Sequence, residues 1–497
     1  VVNDGVLAFN RSDALTFAGA ISGNGAVEQN GSGTTILTGT SNYTGATSIN
    51  GGTLEVDGSI ALSSNVTVNA GATLSGIGIV DPATTTIMAG GTLAPGNAAN
   101  PAGMLTITGN LAFQSAAIYR VNIDSSAAAF AKVTGSATLG GATVNAMFAN
   151  AGYVNKLYSI LTANGGVSGT FASNIVSTNL PAGFQASLSY DATHAYLNVS
   201  LDMMPGSSPT NPGGGMSGNQ QAVGNVMMNS FNVNGGIPMV FGMLDAAGLT
   251  QATGELATAS QQSTFDAMSQ FMGLLTDPFM RRNSGAASAN GTSAYAKDGM
   301  SDHARTDAFA MFAKAPPRAL APRWSVWSAG FGGSQSTNGN AGVGSNDTTS
   351  RLYGAAVGAD YLLAPGTLAG FALAGGGTGF GVNGLGSGRS DLFQAGAYLR
   401  HVDGPAYVSA ALAYGWQDIT TDRYVSVAGG DHLRAEFNAS AYSGRVEGGY
   451  RLVAPVLGGV GLTPYAAGQF TTFALPAYAE RALSGANAFA LAYGSKN

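Results

Sequence analysis

Cysteine is absent from all 497 residues, so neither disulfide bonds nor thiolate metal sites can form. Charge is scarce as well: Asp, Glu, Lys and Arg make up 9% of the chain, with a formal net charge of −6. A nucleic-acid binder needs a basic footprint, so no nucleic-acid partner is expected. No run of about eighteen apolar residues occurs, which excludes a helical membrane span but leaves open a β-barrel, whose strands alternate. Chemical motifs are nearly missing. There is no G-x-S-x-G elbow and no Walker loop. Gly379, Gly381 and Gly384 match G-x-G-x-x-G, yet no helix opens after them, so they read as a loop between strands. The four histidines, His194, His303, His401 and His432, are scattered. His432 beside Asp431 reads as a solvated pair in a loop, and Asp191 and His194 flank a turn with no nucleophile arranged nearby. Asp57 and Asp81 sit at turn positions, which aspartate favours for local backbone hydrogen bonds. No catalytic, cofactor or metal site is therefore expected.

What the chain does have is glycine, 74 residues of it, spread through short alternating segments. Gly51-Gly52-Thr53-Leu54, Gly71-Ala72-Thr73-Leu74 and Gly90-Gly91-Thr92-Leu93 repeat one turn-then-strand signal at spacings of twenty and nineteen residues. A period near 20 is that of a solenoid coil, which buries its apolar face only by stacking on its neighbours. A right-handed parallel β-helix is expected over residues 1–157, with tandem hairpins of an antiparallel sandwich as the alternative. From 158 to 202 the pattern shifts to a few short strands with Gly and Pro turns, as an end cap would. Met203 to Asn219 is a Pro/Gly/Ser linker that has little to bury and marks the expected end of this first part.

A helical region is expected over 220–323. Its main element is a helix at about 251–276, within GELATASQQSTFDAMSQFMGLLTDPF (Gly254 to Phe279). Phe265, Met268, Met272 and Leu275 fall three, four and three residues apart and so share one face. Gln261, Gln262, Asp266 and Gln270 take the others, and Pro278 stops the helix near Thr276. About 25 residues give a rod of roughly 38 Å, too polar to face lipid but long enough to thread a membrane barrel.

After Trp324 the strands alternate over longer stretches. Tyr353 and Tyr361 lie about 26 Å apart along one strand, a depth of roughly 20 Å once tilted by about 40°, which suits two aromatic girdles. Tyr442 and Tyr450 repeat that spacing, and Tyr414 and Trp416 join the same outward set. Asp360, Arg445, Glu447 and Arg451 occupy the opposite face and are expected to point into a lumen. Leu385 to Asp391 and Ser426 to Arg434 read as extracellular loops. About eight strand candidates occur over 324–497.

The helical segment, then AMFAKAPP (Ala310 to Pro317) and WSVWSAGFGGS (Trp324 to Ser334), resembles the translocator of the autotransporters, the type V secretion proteins of Gram-negative bacteria. GSGTTILTGTSNYTGATSINGGTLEV (Gly31 to Val56) is similar to their passenger-associated repeat. The resemblance implies a helix inside an outer-membrane barrel of roughly twelve strands, linked to an exported passenger whose cap nucleates folding. The fold class expected is thus all-β: a β-helix, a helical linker and an antiparallel transmembrane barrel. It further implies outer-membrane lipid, the barrel assembly machinery, periplasmic chaperones and an unidentified surface receptor as partners. Because the chain starts at Val1 without a leader and ends before the barrel is complete, a signal peptide, more passenger and further strands are expected outside it. The passenger would be an adhesin or surface scaffold rather than an enzyme. The alternatives are a β-helix lyase or hydrolase whose site lies upstream, and a plain porin, against which the helix and the solenoid both count.

Overall fold

The computed structural model describes residues 1–203, 215–277, 323–453 and 461–497, apart from Ala61, Ser126, Ala151 and Ala486. The segment AMFAKAPP and most of the Pro/Gly/Ser linker lie outside the described residues. The chain divides into two compact units, Val1–Thr250 and Gln251–Asn497.

The first unit is a solenoid of three parallel sheets. Two of them stack eight strands each, from Val6–Phe9 to Val167–Ser168 and from Leu15–Phe17 to Val176–Thr178. The third runs from Thr40–Ser41 to Leu157–Ala163 and is then extended by the antiparallel hairpin Phe184–Tyr190 and His194–Leu201. Its geometry follows from the repeat. Leu54 lies beside Leu74 and Leu74 beside Leu93, so one repeat is one coil. Tyr119 and Val144 continue the same inward column, and all five residues are 0% exposed. Thr53, Thr73 and Thr92 stack on the outside of that sheet. Gly71 and Gly90 adopt positive φ, the left-handed region that a coil-to-coil turn needs and that glycine enters at no steric cost. The buried ends of the column carry polar and aromatic fillings. Tyr43 shares a hydrogen bond with Thr47 at 2.6 Å, which shares another with Ser63 at 2.9 Å. Phe113, Tyr119 and Phe171 form a ring cluster with centroids 5.5–5.6 Å apart. Burial pushes the Tyr43 hydroxyl up to about 12, because its ionised form would sit in the dry interior.

The expected boundary at the linker is displaced. Residues 215–250, read from sequence as the last part of the Pro/Gly/Ser linker (to 219) and the start of the helical region (from 220), belong to the solenoid unit. They form helix α1 (Gly218–Asn234), a strand Gly236–Pro238 and helix α2 (Ala246–Gln251). Ser217 opens α1 with a reciprocal capping box to Gln220, and Gly235 ends it in the left-handed conformation. Phe231, Ile237 and Leu249 are buried in the solenoid's own core. Apolar residues spaced through an otherwise polar stretch need a surface to cover, and the open end of a solenoid supplies one.

The second unit is an antiparallel meander with one helix against its inner face. Its seven long strands are Trp324–Thr337, Thr348–Ala364, Thr367–Val382, Gly386–Asp403, Ala406–Val425, Asp431–Tyr450 and Tyr465–Ala474, each paired with the next. A short strand, Arg481–Ser484, pairs with the far end of the sixth. Among the described residues no ladder joins the first strand to the seventh. Both expected extracellular loops are shorter than anticipated: Gly386 to Asp391 and Asp431 to Arg434 are strand, leaving connections of three and five residues. These strands run to 20 residues where a membrane needs about 10, so their polar ends continue the ladder past the apolar band. The G-x-G-x-x-G match lies at the end of the third long strand and its turn.

Candidate functional site: a lumen filled by a helix

Helix α3 (Glu255–Thr276) is shorter at its start than the expected 251–276, because Gly254 leaves helical geometry and separates it from α2. Its buried side chains are Leu256, Ala259, Ala267, Met268, Phe271, Met272 and Leu275, among others. Met268, Met272 and Leu275 of the expected face are thus buried, each 1% exposed or less, while Phe265 is only partly covered and meets Phe473 edge-on at 6.2 Å. The sequence reading passed over Phe271, three residues beyond Met268 and at the right spacing to be found. Helix α3 touches all seven long strands. A sheet that meets one helix from seven directions is wrapped around it.

Two glycines make room for that helix. A methyl group on Gly396 would come within 2.5 Å of Leu275 and 3.1 Å of Phe271, and one on Gly415 within 2.8 Å of Met268. Polar contacts add direction. Thr264 Oγ1 donates to Gln417 Oε1 at 2.9 Å, and Gln469 Nε2 donates to Ser269 Oγ at 3.5 Å. At the start of α3, the backbone N–H and side-chain amide of Asn346 donate to the Glu255 carboxylate at 2.8 and 2.6 Å. Gln251 is held twice. Its side-chain oxygen accepts from Ser426 N and Oγ, and its carbonyl accepts from Arg423 Nη1 at 2.7 Å. Arg423 is 0% exposed and also donates both sides of its guanidinium fork to Glu480, at 2.9 and 2.6 Å. Arg423 and Glu480 are 57 residues apart, and no local pattern could have paired them.

At the other end of the lumen Asp360 is fully buried and accepts hydrogen bonds from Tyr398 and, at 3.3 Å, from Ser325. Trp327 Nε1 donates to the Tyr398 hydroxyl at 2.8 Å. Glu447 accepts from Tyr407 at 2.8 Å and from Arg445 at 2.6 Å. Arg451 stands apart: it follows the sixth strand and is exposed, so the structure puts it at the rim, not on the inner wall. Five inward aromatics, Trp327, Phe331, Phe380, Tyr398 and Tyr407, each lie over the glycine directly opposite on an adjacent strand. A ring laid on a bare backbone replaces the side chain the glycine lacks.

The outer wall is the reverse of a soluble surface. Val326, Tyr353, Val357, Phe371, Leu399, Leu412, Val446 and Phe470 are all exposed, Leu412 by 67%. Trp416, Tyr442 and Tyr450 are exposed on the same side, and Tyr361 and Tyr414 are partly covered, their rings against Trp324 at 4.8 Å and Tyr442 at 5.3 Å. Among the described residues no helix is long and apolar enough to cross a membrane. Among the same residues no cluster of His, Asp and Glu could hold a metal ion.

In the solenoid unit Asp191 accepts hydrogen bonds from the backbone and side chains of Thr193 and His194 and from the Tyr196 hydroxyl. These bonds, led by the Thr193 backbone N–H, hold its carboxyl far below the usual range. The carboxylate thereby closes its own turn and ties it to the strand that follows. His432 is in a strand, not a loop. Its ring pairs with Asp422 at 2.7 Å, while the expected neighbour Asp431 is buried and accepts from Phe489 N.

An apolar-outside, polar-inside sheet wrapped on a helix defines an outer-membrane β-barrel with an occupied lumen. Residues 326–497 match the autotransporter beta-domain family, and residues 27–56 match the passenger-associated-transport-repeat. The chain therefore joins an autotransporter β-domain to a passenger bearing that repeat, the arrangement of type V secretion in Gram-negative bacteria. Among solved structures, the translocator domain of autotransporter NalP from Neisseria meningitidis is similar at 14% identity and a TM-score of 0.29, over 48% of this chain and 82% of that one. No curated protein sequence matches the chain.

Proposed function

We propose that the barrel carries its own solenoid to the cell surface, where the passenger serves as an adhesin or scaffold. The single observation that carries this reading is the pairing, in one chain, of a lumen fitted to α3 with a solenoid that gains stability only as coils stack. A chain threaded through the lumen as a hairpin would fold coil by coil outside, which favours net outward movement. A lumen that one helix fills leaves no room for three packed sheets, so the passenger travels unfolded. The assembly machinery of the outer membrane and periplasmic chaperones are the partners such a route requires. The adhesin reading fits an outer surface of threonine and asparagine ladders. Asn50 donates to Asn30 and Asn69 to Asn50, both at 2.7 Å, forming a regular polar array. Protease treatment of intact cells, detecting the segments before Met203 and after Trp324 separately, tests the route. Loss of the first with survival of the second is expected. Equal survival of both, with digestion of the first only after the outer membrane is opened, would overturn it.

A further inference from the structure

Residues 215–250 precede the lumenal helix in sequence but fold with the passenger. Gly236–Pro238 pairs as an antiparallel strand with Tyr153–Asn155. Lys156 N donates to Gly235 O at 2.8 Å, Met239 N to Gly152 O at 3.1 Å, and Gly183 N to Gly242 O at 2.9 Å. Phe231, Ile237 and Leu249 are each 3% exposed or less, and the Phe231 ring sits 6.0 Å from that of Phe184. The fit is close on both sides. A methyl group on Gly242 would lie 2.3 Å from the Phe184 ring, and one on Gly236 would lie 2.4 Å from that of Tyr153. The two partners of this contact are joined in sequence by MPGSSPTNPGG (204–214), a stretch with little to bury.

We infer that residues 215–250 are a non-covalent anchor, so that a passenger cut between Met203 and Met216 stays attached to the chain that carries the barrel. Main-chain bonds supply the register of this contact, and the three buried side chains supply its strength. Cleavage in this linker would then leave the passenger displayed. Shedding it would need a cut beyond Thr250 or unfolding of the cap. The inference rests on the proposed display of the passenger on its barrel.

The test replaces Pro209 to Asn211 of the full-length chain with the recognition site of a sequence-specific protease. Cells are cut, washed, and the fragment carrying residues 1–203 is measured in pellet and medium. Complete cutting with the fragment kept in the pellet is expected, and its release by urea would show that the attachment is non-covalent. The double variant Phe231→Asp and Ile237→Asp, and separately Gly242→Val, should shift fragment to the medium by on the order of tenfold. Release from the parent chain on cutting would overturn the inference, as would full retention by all variants. The same cut on the purified chain in detergent gives a second reading, since the two pieces should co-elute on gel filtration. If intact cells resist the cut altogether, display has failed, and the detergent experiment still decides whether the anchor holds.

Discussion

Leu74 and Leu412 are the same residue at the middle of a strand, and their surroundings are opposites. Leu74 is 0% exposed inside the solenoid, in a column of leucines, with threonines outside. Leu412 is 67% exposed on the outer wall of the barrel, while Asp360, Gln417 and Glu447 are buried within. Both units obey one rule, that apolar surface leaves water. The difference lies in what surrounds each unit: water around the solenoid, lipid around the barrel. Alternation with a period of two serves either case, so a strand's sequence alone does not say which of its faces is wet.

Substitutions at matched positions sharpen that contrast. Leu74→Arg buries an unpaired charge and should cost at least about 4 kcal/mol, enough to abolish cooperative unfolding of the isolated passenger in thermal circular dichroism. Leu412→Arg should cost about 2–4 kcal/mol, and only in a bilayer. Thr53→Arg, on the wet side of the solenoid, should stay within about 0.5 kcal/mol. Equal costs at the three sites would break the comparison.

Arg423→Gln leaves Glu480 buried without its partner and frees the Gln251 carbonyl, and should destabilise the barrel by about 3–5 kcal/mol. Heat-modifiable migration of the folded barrel on gels would move to lower temperature, while the passenger melts unchanged.

The solenoid should also have an alkaline limit. The Tyr43 hydroxyl titrates near 10 when unfolded and at about 12 when folded, so between those values the folded chain holds a proton that the unfolded chain has lost. Stability is full below about pH 10 and is lost as pH rises toward 12, by about 2–3 kcal/mol. Tyr119, pushed up further by complete burial, adds to the same loss. Melting temperatures measured from pH 9 to 12 should fall, and Tyr43→Phe should flatten the fall.

Gly396→Ala is the mildest of the barrel changes, driving a methyl group into Leu275 and Phe271 at a cost of about 1–3 kcal/mol. Leu275→Ala in the same chain should recover part of it; no recovery would mean that the helix does not rest there.

Much of this was legible because it is local. The twenty-residue repeat fixed the coils, and the spacing of Met268, Met272 and Leu275 marked the helix face. Long alternation with Tyr353, Tyr442 and Tyr450 on one side told the outer wall from the inner. What escaped depends on distant partners. Arg423 meets Glu480 and Gln251 only after the sheet wraps, and Asp422, not Asp431, takes His432 because consecutive residues of a strand point to opposite faces, whereas Asp422 lies diagonally across the ladder on the face of His432. The end of the passenger was misplaced for the same reason. The linker from Met203 carries every local mark of a boundary, but Phe231 and Ile237 return to the solenoid core beyond it.

All three tryptophans lie in the barrel, and they sample both of its faces: Trp416 and Trp324 outside, Trp327 inside against Tyr398. The most direct measurement is fluorescence of single-tryptophan chains refolded into bilayers with bromine on the acyl chains. Strong quenching of Trp416 with Trp327 untouched is the result expected of an inside-out sheet around a filled lumen. Equal quenching of both, or quenching of Trp327 alone, would contradict it.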